Sequence, residues 1–273
     1  CGDLTVACLD ENEFMVFGSG AAQEMHRRWF ESHIDKFNLS YSNRSDEYHG
    51  LSIAGPNSRK VLEKIVRDDV SNEKFKFRDS RRMFVGGVPA IINRISFTGE
   101  LGYEIYVAPH YQLKLYEELM EAGKEFNIKP FGGRALMSMR LEKNWGAWTL
   151  DYRPDFTAKE TGLDAFINWD KEFIGKESAQ KENSSNKLVP LIVETNEIDV
   201  TNNEAVLNGD QSIGYVTSGG FAHFVNKSVA FTFVDQKNIK SENKIQVEIN
   251  GDLFNCSIIK EPLYDPSGQK MRS

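Results

Sequence analysis

Apolar and polar residues alternate along several short stretches of this chain, and elsewhere apolar residues recur at every third or fourth position. Alternation is typical of strands with one buried face, and the longer spacing is typical of helices. Strands are predicted at 3–8, 13–17, 48–53, 83–97 and 103–107. Helices are predicted at 21–34, after the turn at 55–57, at 111–126 and at 133–143. The strand–helix–strand–strand–helix order over 48–126 therefore predicts an α+β, split-βαβ (ferredoxin-like) unit on an antiparallel sheet.

Beyond residue 185 the pattern changes to strands alone. Short strands are predicted at 188–194, 212–217, 228–234, 244–249 and 253–259. Asn208-Gly209 and Asn250-Gly251 are hairpin signals, because both residue types tolerate positive φ. Evenly spaced short strands are typical of a small barrel, and the polar stretch 181–186 is typical of a linker. We therefore predict an α+β region at 1–185 and a C-terminal β-barrel domain at 186–273.

Composition narrows the class of protein further. The chain has 273 residues, of which 40% are hydrophobic and 27% charged, as in an average globular protein. No apolar run approaches the ~18 residues that a membrane-spanning helix needs, so no membrane partner is expected. The formal net charge of −7 argues against nucleic acid as a partner, because a phosphate backbone favours a basic surface.

The cysteines and histidines suggest neither a metal site nor a disulfide framework. Three cysteines are widely scattered, and none of the five histidines stands at ligand spacing from them. A reducing, cytoplasm-like compartment fits this pattern. The chain begins with Cys1 and shows no secretory leader, and its strand pattern starts at once, so we expect its N-terminus to be a truncation point.

Glu104 is the most informative candidate for a binding residue. It follows a turn that contains two glycines, Gly99 and Gly102, and it alternates with apolar neighbours, so it should share a sheet face with Gly102 and Tyr106. A carboxylate in such a stretch is costly unless it has a partner or a ligand. Because a carboxylate only accepts hydrogen bonds, it suits a ligand edge with two adjacent N–H donors, such as a pterin amino-pyrimidinone.

An internal ion pair is the alternative for this carboxylate, with Arg94 or Arg134 as its partner. Arg134 itself stands in the first turn of a predicted helix, where it could bind a ligand carboxylate by a two-pronged contact. It could equally pair with one of the acidic residues Glu142, Glu160 or Asp164. Asp3 is a candidate general base or a strand-end residue, and spacing alone leaves both open.

A series of motifs is shared, in order, with a known family. They are Gly-Asp-Leu-Thr-Val at 2–6, Leu-Ser-Ile-Ala-Gly-Pro at 51–56, Ser-Phe-Thr-Gly-Glu-Leu-Gly-Tyr-Glu-Ile at 96–105, Met-Arg-Leu-Glu-Lys at 139–143, Phe-Thr-x-x-Glu-x-Gly-Leu at 156–163, Phe-Ile-Gly-Lys at 173–176 and Glu-Pro-Leu-Tyr-Asp-Pro at 261–266. Through them the chain resembles the folate-binding aminomethyltransferase family, the glycine-cleavage T-protein group. Within that group it resembles the C-terminal tetrahydrofolate half of dimethylglycine and sarcosine dehydrogenases.

The resemblance implies a role for each candidate residue. Asp3 corresponds to the family's catalytic aspartate, Glu104 to its pterin-binding glutamate and Arg134 to its motif arginine at the ligand. Ser19 stands where T-proteins carry asparagine, and Phe97 where they carry tyrosine beside the ligand. Both departures favour the dehydrogenase-like branch. The implied fold is a leading α+β domain, a ferredoxin-like α+β domain and a terminal barrel.

The function implied by the resemblance is one-carbon transfer to tetrahydrofolate, giving methylene-tetrahydrofolate. The donor would be a small amine-derived iminium, and FAD would enter only through a flavin domain or subunit outside this chain. The alternatives are a folate-dependent demethylase and a folate-binding protein without turnover. We expect a cytoplasmic location, or the mitochondrial matrix if the source is eukaryotic.

Overall fold

The computed structural model describes residues 2–195, 197–239 and 244–273. The chain divides into two compact units. One consists of Gly2–Leu136 together with Ser267–Ser273, and the other of Met137–Pro266. The chain therefore leaves the first unit, forms the second and returns to the first. The predicted boundary at residue 185 between an α+β region and a barrel domain stays a prediction.

The first unit opens with an antiparallel hairpin. Strand β1 (Thr5–Asp10) pairs with β2 (Glu13–Phe17), and helix α1 (Gln23–Ile34) follows. The prediction that the first strand covers Asp3 is wrong, because the paired backbone begins at Thr5.

A four-stranded antiparallel sheet forms the centre of the first unit. Its strands are arranged in the order β3-β6-β5-β4. They span β3 (His49–Ala54), β4 (Ser80–Val85), β5 (Val88–Asn93) and β6 (Gly102–Val107). The expected single strand over 83–97 is wrong, because the chain reverses at Gly86 and Gly87, which adopt positive φ of 58° and 78°. Glycine reaches that region without a steric penalty, so the sheet contains four strands where three were expected.

One face of this sheet is the core of the unit. Helices α2 (Ser58–Glu63) and α3 (Gln112–Gly123) supply buried leucines to it. The strands supply alternate residues, among them Tyr103, Ile105 and Val107 of β6. Because strand side chains point to opposite faces in turn, Glu104 and Tyr106 must lie on the other face. The sheet-face assignment made for Glu104 is therefore confirmed.

The C-terminal segment completes the first unit. It carries the short helix α6 (Gln269–Arg272), whose Met271 is buried. The buried Arg94 and the more exposed Arg59 each donate a hydrogen bond to the carbonyl oxygen of Ser273, at 2.8 and 2.7 Å. Lys270 forms an ion pair with Glu100 at 3.5 Å. These contacts join the end of the chain to the sheet.

The second unit contains a closed barrel with strand order β10-β7-β12-β11-β8-β9. Helix α4 (Gly133–Glu142) leads into this unit, and helix α5 (Lys176–Lys181) precedes the barrel. The barrel strands are β7 (Asn186–Val193), β8 (Ala205–Asn208), β9 (Gln211–Ala222), β10 (Lys227–Asp235), β11 (Ile245–Ile249) and β12 (Asp252–Ile258). The α+β class with a terminal barrel is confirmed. The four-residue strand β8 was not predicted, and the turn at Asn250-Gly251 has positive φ at both residues, as expected.

A buried ion pair anchors the second unit. Arg140 of α4 donates to Asp151 Oδ2 at 2.6 Å, and both side chains are almost completely buried. The hydroxyls of Thr217 and Ser218 on β9 donate to the other carboxylate oxygen at 2.5 and 2.7 Å. A buried charge is tolerated only when it is paired and hydrogen-bonded in this way. Arg140 is thus a structural residue.

No helix in the described ranges combines the length and the apolar character needed to cross a bilayer. Cys8 and Cys256 are free thiols, and Cys1 lies outside the described residues.

Candidate functional site

A cavity of about 600 Å³ opens in the first unit beside Glu104. Strand β3, the turn that leads into β6 and the segment between α3 and α4 surround it. Its lining includes Gly50, Ser52, Phe97, Glu104, Phe131 and Gly133. Small-molecule sites in proteins measure about 300–1,000 Å³, and they usually pair an apolar wall with a few polar groups. This cavity therefore has the size and lining of a ligand site.

Glu104 is half-buried on β6 and has a single hydrogen-bond partner in the described part of the chain. The hydroxyl of Tyr106 donates to its Oε2 at 2.7 Å. The alternative of an ion pair with Arg94 or Arg134 is wrong for the residues that the structure describes. Arg94 donates instead to the backbone carbonyls of Phe75 and Ser273.

Burial dominates the electrostatics of this carboxylate. It raises the pKa of Glu104, and the hydrogen bond from Tyr106 lowers that pKa by a smaller amount. Burial also raises the pKa of the Tyr106 hydroxyl, and the neighbouring Glu104 charge adds to the increase. A half-buried carboxylate without a cation is unfavourable in the free protein, and a ligand with N–H donors would relieve that cost.

The turn before β6 is held in one conformation by its own side chains. The hydroxyls of Ser96 and Thr98 lie 2.7 Å apart, and the Thr98 hydroxyl also accepts from the backbone N–H of Glu100. A Cβ atom at Gly102 would lie 2.6 Å from Cβ of Ser96, so only glycine permits this approach. The turn thereby presents Phe97 to the cavity from a rigid frame.

The other three predicted site residues do not line this cavity. Arg134 is exposed in the first turn of α4, next to the lining residue Gly133. Asp3 is exposed before β1, and Ser19 is half-buried ahead of the short 3-10 helix Gly20–Ala22. The structure therefore brings together Glu104 and Phe97, and it leaves the roles of the other three as predictions.

Two of the acidic residues considered as partners of Arg134 bind other groups. Glu142 accepts a hydrogen bond from the backbone N–H of Phe224 at 2.7 Å. Glu160 accepts from the backbone N–H of Thr157 at 2.9 Å and from the Ser184 hydroxyl at 2.6 Å. Both therefore have structural roles in the second unit.

Two neighbours of Glu104 on its sheet face were not predicted from the sequence. Ser52 of β3 and Asn93 of β5 stand directly across from it on the adjacent strands. Asn93 is 2% exposed, and its Oδ1 accepts from the Ser80 hydroxyl at 2.5 Å. Its amide nitrogen has no acceptor within the described ranges. Pairing register would have revealed both residues, and the start and end of the strand that carries Asn93 depend on the hairpin at Gly86 and Gly87 that the sequence pattern concealed.

Family comparisons agree with this architecture. Residues 1–171 match the GCVT N-terminal domain, and residues 186–265 match the glycine cleavage T-protein C-terminal barrel domain. The chain belongs to the glycine cleavage T-protein family. The resemblance that the sequence motifs indicated is thereby confirmed, and the chain is aminomethyltransferase-like over almost its whole length.

Two curated relatives and one solved structure show how far this T-protein likeness extends. Human mitochondrial dimethylglycine dehydrogenase is 34% identical over 269 residues, which cover 96% of this chain but only 31% of that protein. An aminomethyltransferase of Bacillus mycoides is 31% identical over 270 residues, which cover 97% of this chain and 73% of that protein. The crystal structure of aminomethyltransferase T from Bartonella henselae superposes with a TM-score of 0.83 at 21% identity, over 97% of this chain and 72% of that one. The last comparison shows a shared fold.

Proposed function

We propose that this chain binds tetrahydrofolate and transfers a one-carbon unit to it from a small amine-derived iminium donor. The observation that carries the proposal is Glu104, a half-buried carboxylate without a cationic partner in the described residues, beside a cavity of about 600 Å³. Membership of the glycine cleavage T-protein family supports the same reaction class.

The residues at the cavity fit a pterin. Its amino-pyrimidinone edge carries adjacent N–H donors, and the carboxylate of Glu104 accepts hydrogen bonds without donating any. Hydrogen bonds to a charged acceptor are worth about 1.5–3 kcal/mol, more than neutral ones. The aromatic ring of Phe97 supplies an apolar surface at the same cavity. Glu104 would therefore fix the orientation of the ligand and leave the bond chemistry to other groups.

Three further residues are proposed to act on the one-carbon donor and on other parts of the ligand. Bound tetrahydrofolate supplies a nucleophilic nitrogen, which accepts the one-carbon unit. Asp3 would stabilise the cationic donor and take up the proton released, as a general base. Arg134 would attract an anionic part of the ligand, because a guanidinium binds carboxylates by two parallel hydrogen bonds. Ser19 would contribute to binding of the substrate or cofactor, at the position where T-proteins carry asparagine.

The donor chemistry is proposed from the dehydrogenase relatives. This chain matches part of human dimethylglycine dehydrogenase and consists of T-protein domains, so we assign it the folate-dependent part of such a reaction. A flavin domain or subunit would use FAD to oxidise the amine and deliver the iminium. That relative is a mitochondrial protein, so the matrix is the compartment proposed for a eukaryotic source.

Titration calorimetry with tetrahydrofolate tests the proposal. Glu104→Gln should weaken binding about tenfold or more, since loss of a charged contact costs at least ~1.4 kcal/mol. Glu142→Gln is the matched control, because Glu142 is a second glutamate whose pKa is raised by burial, and it does not line the cavity. Unchanged binding by Glu104→Gln would remove Glu104 from the site. Binding without turnover of an iminium donor would instead identify a folate-binding protein.

A further inference from the structure

Tyr106 is the one side chain that contacts the Glu104 carboxylate through a hydrogen bond in the described part of the chain. The two residues stand on the same face of β6, two positions apart. The Tyr106 hydroxyl donates to Oε2, and Oε1 has no partner among the described residues. Before any ligand binds, one oxygen of this carboxylate thus accepts a hydrogen bond within the described residues and the other does not.

The ring of Tyr106 is itself held in place from two sides. The ring of Phe17 packs on it with centroids 4.3 Å apart. On the neighbouring strand Gly50 stands opposite Tyr106, and a Cβ atom there would lie 2.9 Å from Cε1 of the tyrosine. Glycine therefore leaves the space that the ring occupies. Because the ring is fixed in this way, the Tyr106 hydroxyl is held in one position.

We infer that Tyr106 is a positioning residue of the proposed folate site, whose hydroxyl anchors Oε2 of Glu104 and leaves Oε1, together with the second lone pair of Oε2, to accept from the ligand. The inference rests on the proposed function and assigns to Tyr106 no contact with the ligand. A glutamate side chain has three rotatable bonds, and fixing them beforehand spares that entropy when the ligand binds. Groups behind a binding residue commonly set its orientation in this way.

The same hydrogen bond favours the charged form of Glu104. Ser52 on β3 and Asn93 on β5 face the carboxylate and do not titrate, and Phe17 of the β1–β2 hairpin packs behind Tyr106. Burial raises the pKa of Glu104, and the Tyr106 hydroxyl is the described group that opposes this. Without the hydroxyl the carboxylate would take up a proton at higher pH and lose acceptor capacity for the ligand.

The test is titration calorimetry of tetrahydrofolate against Tyr106→Phe between pH 6 and 8.5. This variant keeps the ring and its packing on Phe17 and removes one oxygen. We expect affinity to fall about tenfold, a loss of ~1.4 kcal/mol, and the loss to grow as pH decreases. Tyr111→Phe is the matched control, because Tyr111 packs on the core of the same unit and does not line the cavity. Its affinity should stay within about twofold of the parent, inside the usual range for remote changes.

A double-mutant cycle with Glu104→Gln separates positioning from general support of the fold. If Tyr106 acts through the carboxylate, the effect of Tyr106→Phe should largely disappear in the Glu104→Gln background. An equal loss in both backgrounds would overturn the inference, as would full affinity in Tyr106→Phe while Glu104→Gln binds weakly. If Glu104→Gln binds as well as the parent, the proposed function itself fails.

Titration of the Glu104 carboxylate in the parent and in Tyr106→Phe provides a second measurement that does not depend on ligand binding. Carboxyl carbon NMR can follow the titration of Glu104 in the ligand-free chain. We expect the titration midpoint of Glu104 to be higher in Tyr106→Phe than in the parent, because the hydrogen bond from the Tyr106 hydroxyl lowers the pKa of this carboxylate. Equal midpoints in the two proteins would show that the hydroxyl does not act on the carboxylate, and they would refute the role given to Tyr106.

Discussion

Glu104→Gln should have opposite effects on ligand binding and on the stability of the free protein. At neutral pH the ionised carboxylate is half-buried with no cation beside it in the described residues. A fully buried ion costs several kcal/mol in real proteins, and half burial reduces this to about 2 kcal/mol. Making the acceptor of the Tyr106 hydrogen bond neutral loses about 1 kcal/mol. The net expectation is that the variant is about 1 kcal/mol more stable without ligand.

The pH dependence of this difference follows from the sign of the pKa shift. Burial raises the folded-state pKa of Glu104 above its ordinary value of 4.5. The protonated carboxyl therefore stabilises the fold at pH below 4.5, and this contribution is lost as pH rises through the raised pKa. Glutamine remains neutral throughout. The stability advantage of Glu104→Gln should thus be small in acid and should grow towards neutral pH.

Urea unfolding at pH 5 and pH 7.5 measures both quantities. Glu118→Gln is a suitable control, because Glu118 forms an ion pair with Lys114 on the surface of α3. That change should lower the free energy of unfolding by no more than about 0.5 kcal/mol, as exposed helix pairs contribute little. A Glu104→Gln protein less stable than the parent at pH 7.5 would refute the reasoning, since it would mean that the carboxylate has a favourable charged partner.

Three further changes test other parts of the molecule. Asp3→Asn should lower turnover by about a hundredfold, the usual contribution of a general base, and it should leave the affinity for tetrahydrofolate unchanged. Turnover equal to that of the parent would show that Asp3 is not a catalytic residue. Asp151→Ala leaves Arg140 buried without its carboxylate, so urea unfolding should show a loss of about 3–5 kcal/mol. Gly214→Ala places a Cβ 2.1 Å from a backbone oxygen of β10, whereas Gly220→Ala meets nothing closer than 3.4 Å. Calorimetric melting should therefore show that Gly214→Ala lowers the free energy of unfolding by about 1–3 kcal/mol and that Gly220→Ala changes it little. Equal melting temperatures for the two variants would contradict this expectation.

The sheet face of Glu104 could be predicted because a strand has a period of two. Tyr103 and Ile105 are apolar, so the residue between them had to face away from the core. The hairpin at Gly86 and Gly87 was missed because apolar residues continue on both sides of it, which conceals the break. Periodicity thus assigns faces reliably and marks strand ends poorly.

The candidate site was only partly accessible from the sequence. The sequence pattern identified Glu104, but it left an ion pair with Arg94 open. The residue types alone do not reveal whether the Arg94 guanidinium donates to this carboxylate or to a backbone carbonyl. The structure places that guanidinium on the carbonyl of Ser273, 179 residues away along the chain. Asp3 was assigned through family resemblance alone, since nothing in its local pattern distinguishes a general base from a strand-end residue.

The return of the chain to its first unit has a consequence for synthesis on the ribosome. Residues Ser267–Ser273 contribute Met271 and the acceptor for Arg94, and they are translated after the whole barrel. Contacts between residues so far apart in sequence form late, because the intervening chain must first be closed into a loop. The unit that carries the cavity therefore gains its last packing contacts only after the whole barrel has been translated. A nascent chain halted within the barrel would hold this unit without the packing of Met271 and without the Ser273 acceptor for Arg94.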